Sequence, residues 1–448
     1  FYLTAFKKGY APNTVLFDAP TEFTANNPLC PAIVDFSNQD PACFHPQNFD
    51  KKFRGAVDLK NALAQSINIP SVKLLYLAGL NEVLKTLQSF GISTLTDPQR
   101  YGLSLVLGGG EVKLIDLVGS YSVLSQEGIR RPQVMILKVE NNNGEAMEEY
   151  QEKSEKVIEP LYPQLINDIL LDADLRRPLF ASSLNLTVFP DQEVALKTGT
   201  SNDFRDAWAM GYTPSLVVGV WAGNNNNASM QQQAGSILAA VPIWHAFMDE
   251  ALKKQTTTET FTRPDIVLAE KPILRGEAVI KYKINDIEYP QIHDILYYVD
   301  KNNPAGPNPQ NPQDDPQFEN WEEGLMGWLK TNIPDFYRYN QIPPGLSPSA
   351  DNEQSSNLEI TELLPRSGDF AKDTISVKAA IKSNNNLDKI ELYLNEQLMD
   401  RKSPNSLGVY EYQYQIINPK IELQNILKLK ISDVLGNRAE KEVIIFSQ

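Results

Sequence analysis

The chain has 448 residues, 42% of them hydrophobic and 9% aromatic, enough for two or three domains with at least one large core. Fifty-six acidic against 41 basic residues give a formal net charge of −15. Such a chain lacks the basic field that attracts phosphates, which argues against nucleic acid or an anionic membrane surface as a partner.

The opening residues, "FYLTAFKKGY", predict a helix with Tyr2, Leu3 and Phe6 on one face and Gly9 as its stop. No basic-then-apolar leader precedes it, and Phe1 is not Met, so the chain reads as a piece of something longer. Nor does any apolar stretch reach the roughly eighteen residues that span a bilayer; the best, "SLVVGVWAG" at 215–223, is strand-length. The only cysteines, Cys30 and Cys43, fall in an irregular segment. A disulfide, suited to a protein working outside the cytoplasm, and two free thiols both stay open. With His45, His245 and His293 scattered, no metal site is expected.

Next, "AVDLKNALAQS" (56–66) reads as helix, and Pro70 opens "PSVKLLYLAG", where its missing N–H costs nothing. Asn81 is placed to cap "EVLKTLQSFG", with Leu84, Leu87 and Phe90 on one face and Gly91 at the end. "EVKLIDLVGSYSVLSQEG" (111–128) is amphipathic and closes on Gly128. "QVMILKVEN" follows as strand and "PLYPQLINDILLDADL" as helix, then strands at 193–198, 207–213 and 215–222. A last helix over 237–252 carries Ile237, Leu238, Val241, Trp244, Phe247, Met248 and Leu252 on a broad face. Three consecutive strands between helices predict an α+β domain, an antiparallel sheet covered by helices, over residues 1–255.

From 256 to 356 the composition turns to Pro and Asn, as in "NNPAGPNPQNPQDDP", which predicts an irregular linker. One short helix is embedded near 318–330, its Phe318, Trp321, Leu325, Trp328 and Leu329 set to pack on a neighbouring domain. From 357 to 448 the period becomes two, in "TISVKAAI", "KIELYL", "VYEYQYQI", "LKLKI" and "KEVIIF", with turns at "SNNN" and "LGNR". That pattern predicts a small β-sandwich of immunoglobulin type.

Chemistry concentrates where the strand at 193–198 ends, in "EVALKTGTSNDFRDAWAMGY". Lys197 supplies a cation, Thr198 and Thr200 hydroxyls, and Gly199 lets a ligand approach the backbone. A sheet edge also offers N–H groups to an extended peptide. Taken alone, Lys-Thr-Gly at a strand end is more often a turn. Upstream, "LAQSINIPSV" sets Ser66 and Asn68 between two helices, where a hydroxyl and an amide can face a cleft or simply cap a turn. Ser-x-Asn followed by Lys-Thr-Gly is the pair that accompanies a Ser-x-x-Lys nucleophile in penicillin-binding proteins and class A β-lactamases.

With "KKGYAPNTVLFDAPTEF", "FRGAVDLKNALAQSINIPSVKLL", "YGLSLVLGGGEVKLIDLVGSYSVLSQEGIRRP", "LKTGTSNDFRDAWAMGYTPSLVVGVWAGN" and "AVPIWHAFM" in that order, residues 1–255 resemble the transpeptidase domain of bifunctional class A penicillin-binding proteins, the 1C branch in particular. The glycines at 108–110 then become structural rather than phosphate-binding. The resemblance implies a serine that attacks the D-Ala-D-Ala bond of a peptidoglycan stem peptide and an amine that takes the acyl group. It casts Ser66 as proton relay, Asn68 as holder of the donor amide and Lys197 as source of field and relay. Thr198 and Thr200 would bind the terminal carboxylate beside Gly199, with the Thr200 N–H in the oxyanion hole. No cofactor is implied. Stem peptides, lipid-linked precursor and β-lactams would be ligands, at the outer face of the bacterial inner membrane.

One departure stands out: no Ser-x-x-Lys lies where the family has it. The family's nucleophile opens the helix that continues as "FYLTAF", so Phe1 is expected just downstream of it, with the glycosyltransferase domain and membrane anchor further upstream. The residues given are expected to be inactive by themselves. Two other readings are a D,D-carboxypeptidase or β-lactamase that passes the acyl group to water, and a non-catalytic wall-binding or scaffolding protein.

Overall fold

A computed structural model describes residues 1–447 apart from 232–234, 256–257, 266–268, 285–286, 342–357, 372–373, 384–385, 405, 407, 418, 420 and 434–437. Helix α1 (Tyr2–Lys8) ends on Gly9, whose φ of 115° lets its N–H reach back to the Phe6 carbonyl. Strands β1 (Val15–Asp18) and β2 (Gly55–Asp58) pair antiparallel. The helix expected over 56–66 is therefore half strand. It starts only where the Asp58 carboxylate accepts the Asn61 N–H, giving α2 (Leu59–Ala64).

Helix α3 (Asn68–Ala78) is apolar nearly all round, with Ile69, Val72, Leu74, Leu75 and Leu77 fully buried, and is the central rod of the domain. Helix α4 (Leu80–Ser89) begins after Gly79 (φ 91°), so Asn81 lies inside it and does not cap it. Helix α5 (Leu114–Ser125) closes as expected, the Gly128 N–H returning to the Val123 carbonyl. The strand expected in "QVMILKVEN" shrinks to β4 (Lys138–Glu140). It pairs with β5 (Ala146–Glu149) as an exposed hairpin between the two-residue strands β3 (Ile129–Arg130) and β6 (Glu155–Lys156). With no core face to bury, the apolar run gains nothing by extending. Helices α6 (Leu161–Leu171) and α7 (Ala173–Phe180) divide the one helix expected there, because Asp172 leaves the helix and caps the second.

The three expected strands are present as β7 (Ala195–Thr200), β8 (Asp206–Tyr212) and β9 (Val217–Gly223), antiparallel in that order with β7 at one edge. Helices α8 (Ser236–Ala239) and α9 (Val241–Leu252) cover them. Pro242 cannot donate an N–H and the helix breaks at Ala240. The break rotates the outer residues: Val241, Trp244 and Met248 are buried, whereas Leu238 and Phe247 are exposed, against expectation.

The expected linker needs the largest correction. Between 261 and 340 lie α10 (Pro272–Arg275), the hairpin β10 (Ile280–Ile284) and β11 (Ile287–Gln291), α11 (Ile295–Tyr298) and α12 (Phe318–Asn332). Phe261, Ile273, Ile295, Tyr298, Phe318 and Trp321 join α1 and α3 in one core. Lys73 of α3 makes a fully buried ion pair with Asp294 at 2.6 Å and lies 5.0 Å from the centroid of the Trp321 ring. Composition marked this stretch as extended, and around 302–316 the described chain is largely irregular. Its apolar residues are spaced by neither helical nor strand period, and they pay the ordering cost by burial in a core made elsewhere.

Strands β12 (Leu358–Leu364), β13 (Phe370–Ala371), β14 (Thr374–Ser383), β15 (Leu387–Leu394), β16 (Gln397–Lys402), β17 (Gly408–Ile417), β18 (Gln424–Asp433) and β19 (Arg438–Ser447) form two sheets, ordered β12-β14-β17 and β13-β19-β18-β15-β16. Ile381 and Tyr412 of the first face Ile390, Leu392 and Leu429 of the second in one core. The boundary expected near 357, like parts of the "SNNN" and "LGNR" turns, falls outside the described residues. Ile444 and Phe446 pack with Ala173 and Val194 beneath the start of β7. There Glu193 accepts the Phe261 N–H at 2.9 Å, pairs with Arg263, and lies 3.8 Å from Arg366. Cys30 and Cys43 are disulfide-bonded, which settles the alternative the sequence left open.

Candidate active site

Helix α2 ends in a Schellman turn: the Ser66 N–H returns to Leu63 at 3.3 Å and the Ile67 N–H to Ala62 at 3.0 Å. Ser66 is the residue at the left-handed position, with φ 56°, where glycine is the usual occupant. Helix α3 starts two residues later, so Ser66 forms the tip of a tight elbow between α2 and α3. A side chain carried there at a conformational cost is a reason to look for what its hydroxyl does.

It meets Lys197. The Lys197 ammonium, on edge strand β7 and 131 residues away in sequence, donates to the Ser66 Oγ and also to the Thr198 carbonyl at 2.7 Å. Among the described residues no carboxylate lies within ion-pair distance of Lys197. Burial therefore acts unopposed and lowers its pKa from the usual lysine range to about 8.

The other expected residues surround this contact. Asn68 lies on the first turn of α3, and its side-chain amide donates to the Gln47 carbonyl at 2.7 Å. Thr198 is buried at 8% exposure. Its hydroxyl makes no hydrogen bond among the described residues. Thr200 Oγ1 donates to the Ser236 hydroxyl at 3.1 Å and accepts the Ser236 N–H at 3.0 Å, which ties β7 to the start of α8. In front of Gly199 there is room: among the described residues a methyl group there would meet only the Trp208 Cβ, at 3.8 Å.

Four residues that sequence reasoning did not assign to the site support the strand end. Ser201 Oγ donates to Asp206 Oδ2 at 2.7 Å and accepts the Asp206 N–H at 2.8 Å, while Trp221 Nε1 donates to Asp206 Oδ1 at 2.9 Å. These bonds clamp the β7–β8 turn. Ser236 is the fourth. None carries a local signal of its own, and only pairing across the fold singles them out. The arrangement offers a lysine of depressed pKa, a hydroxyl beside it and an open strand edge, the set needed to hold an extended peptide while moving a proton.

Residues 34–249 match the family model described as the penicillin binding protein transpeptidase domain. Among curated proteins the chain is 33% identical over 241 residues to penicillin-binding protein 1A of Aquifex aeolicus, covering 50% of this chain and 31% of that one. It is 28% identical over 258 residues to penicillin-binding protein 1A of Neisseria meningitidis, covering 56% and 30%. The chain thus spans about a third of the length of the curated relatives it matches. A crystal structure of penicillin-binding protein 1A from Haemophilus influenzae is similar with a TM-score of 0.49 and 18% identity, over 69% of this chain and 45% of that one.

Proposed function

We propose that this chain, whose residues 34–249 belong to the penicillin-binding protein transpeptidase family, comes from an enzyme that cross-links peptidoglycan stem peptides through a serine acyl-enzyme. The observation that carries the reading is the convergence of Lys197 on Ser66 at the free edge of β7, with Asn68 on the following turn and open space before Gly199. Among the described residues nothing crowds the Gly199 position, which supports a glycine kept for an approach from outside.

In this reading an extended donor peptide ending in D-Ala-D-Ala lies along β7. Lys197, with Thr198 and Thr200, attracts its carboxylate, and Asn68 holds the donor amide. The Thr200 N–H faces the carbonyl oxygen as charge develops on it, a contact typically worth about 3 kcal/mol of barrier. A serine oxygen, its proton taken by the lysine of the same Ser-x-x-Lys, bonds to the carbonyl carbon and the peptide C–N bond breaks. The departing D-Ala nitrogen takes a proton from Ser66 Oγ, which Lys197 replaces. A lysine of pKa about 8 suits this, since both of its protonation states are populated near neutral pH. An amine of a second stem then displaces the serine oxygen, the amine's surplus proton passing to that oxygen to restore the hydroxyl.

Ser66 itself is not the nucleophile in this scheme; that role goes to a Ser-x-x-Lys outside residues 1–448, so these residues alone form no acyl-enzyme. The 1C-like character within class A, an upstream glycosyltransferase and anchor, use of lipid-linked precursor, and a periplasmic or cell-surface setting belong to the same proposal. So does an immunoglobulin-like accessory role for 357–448. The test is mass spectrometry and equilibrium dialysis of the 448-residue chain with benzylpenicillin. Reversible binding that Lys197→Met removes, with no covalent adduct, is expected. A stoichiometric adduct on any serine here would overturn the nucleophile assignment. Absence of any binding would favour the scaffold reading.

A further inference from the structure

Helix α3 begins without a cap of its own. Its N-cap residue is Ile67, which has no side-chain acceptor for the first-turn N–H groups. The acceptor comes from a distant loop: Asn48 Oδ1 accepts the Asn68 N–H at 2.9 Å and the Ile69 N–H at 3.4 Å. Asn48 is 4% exposed. Its Nδ2 donates to Asp18 Oδ1 at 2.7 Å and to the Lys52 carbonyl at 2.7 Å. Asp18, fully buried at the end of β1, is held in turn by the Arg54 N–H at 3.0 Å. The residue before Asn48 completes the grip, since the Gln47 carbonyl accepts the Asn68 side chain.

We propose that Asn48 is a positioning residue for the site: by capping α3 from outside, it holds the α2–α3 elbow that keeps Ser66 in left-handed backbone against Lys197. The need for such a holder follows from the local chemistry. Ser66 sits in a conformation that L-residues other than glycine avoid, and the helix that follows supplies no acceptor to fix where it starts. Remove Asn48 and two N–H groups lose their partner. The elbow then gains by shifting to let water reach them, and Ser66 moves with it. The amide suits this place because one side chain must accept from α3 and donate to Asp18 at once. A carboxylate would face Asp18 with like charge, and a hydroxyl is too short to span both.

This rests on the transpeptidase reading for what the site binds, but not for its geometry, and two readouts keep them apart. One is the titration of the Lys197 Nζ by nitrogen-15 NMR; the other is equilibrium binding of benzylpenicillin to the same chain. In Asn48→Ala, water entering beside Ser66 is expected to raise the Lys197 titration by at least ~0.5 pH unit towards the ordinary lysine value. Benzylpenicillin binding should weaken at least ~10-fold. The swap Asp18→Asn with Asn48→Asp keeps one amide facing one carboxylate and the acceptor for α3, but sets a carboxylate oxygen against the Lys52 carbonyl, so it should restore both only in part. Asn167→Ala serves as the control for lost stability alone: it removes buried bonds to Tyr212 and Leu124, away from the elbow, and should move neither. If Asn48→Ala does not fold, Asn48→Ser, which keeps a hydroxyl acceptor, is expected to raise the Lys197 titration by a smaller amount. A folded Asn48→Ala or Asn48→Ser in which Lys197 titrates as in the unaltered chain overturns the proposal. If the unaltered chain itself binds no benzylpenicillin, the transpeptidase reading fails, and the Lys197 titration alone decides for or against Asn48.

Discussion

Replacing Ser66 by glycine and, separately, by alanine reads the cost of the left-handed elbow directly. Both changes delete the hydroxyl and its bond to Lys197, so that loss cancels between them. An L-residue at this φ of 56° costs about 1–2 kcal/mol that glycine does not pay. Glycine's greater freedom in the unfolded chain offsets roughly 0.5–1 kcal/mol of that. Ser66→Gly should therefore be more stable than Ser66→Ala by about 0.5–1 kcal/mol. In an ordinary helical position the order would reverse by about 1 kcal/mol. Urea unfolding followed by tryptophan fluorescence is the assay, because Trp208, Trp221, Trp244, Trp321 and Trp328 all lie outside 357–448 and the signal reports on the domain that holds the elbow. Equal stability, or a more stable alanine variant, would refute the assignment of Ser66 to strained backbone.

Three other outcomes follow from the same geometry. Lys197 carries a pKa of about 8 in the fold against about 10.5 unfolded. As pH rises through that window the folded chain gives up its proton first, and the unaltered chain should gain stability relative to Lys197→Met. The gain is at most about 3 kcal/mol, less whatever screening by cleft water removes, and should appear in urea midpoints taken between pH 7 and 11. Lys73→Met leaves the buried Asp294 carboxylate unpaired and should cost about 3–5 kcal/mol in chemical unfolding. Asp294→Asn added to it should recover part of that, whereas no loss would mean that α11 is not docked on α3. Replacing Cys30 and Cys43 together by serine opens a loop with a sequence separation of 13 and should lower stability by about 3 kcal/mol in the chain-entropy account, read as a drop in Tm.

The strands that carry the candidate site were legible in the sequence because local signals are strong there. Alternating apolar residues and the turn after Thr200 mark β7 and β8 without outside help, and glycines mark the ends of α1 and α5. The family resemblance placed Lys197 and Ser66 in one expected site, since nothing local links positions so far apart, and their direct contact emerges only in the fold. Asn48 was invisible for a related reason: an asparagine in a polar loop looks like any turn residue until the uncapped start of α3 is beside it. Residues 261–340 misled because composition reports what a segment does alone. Lys73 and Asp294 each look like surface charges in sequence, and only the fold turns them into a buried pair. Pro242 was in plain view within the helix expected over 237–252, yet the resulting rotation that exposes Leu238 and Phe247 depends on how α9 packs.

The most direct measurement of the central claim is chemical-shift mapping of this chain with an N-acylated peptide ending in D-Ala-D-Ala, beside its L-Ala-L-Ala counterpart. A β7 edge built to hold a transpeptidase donor predicts saturable shifts at Ser66, Asn68 and Lys197 through Thr200 for the D,D peptide. Those shifts should be lost in Lys197→Met and absent for the L,L peptide. Shifts of equal size for both peptides, or shifts that leave residues 197–200 untouched, would contradict it.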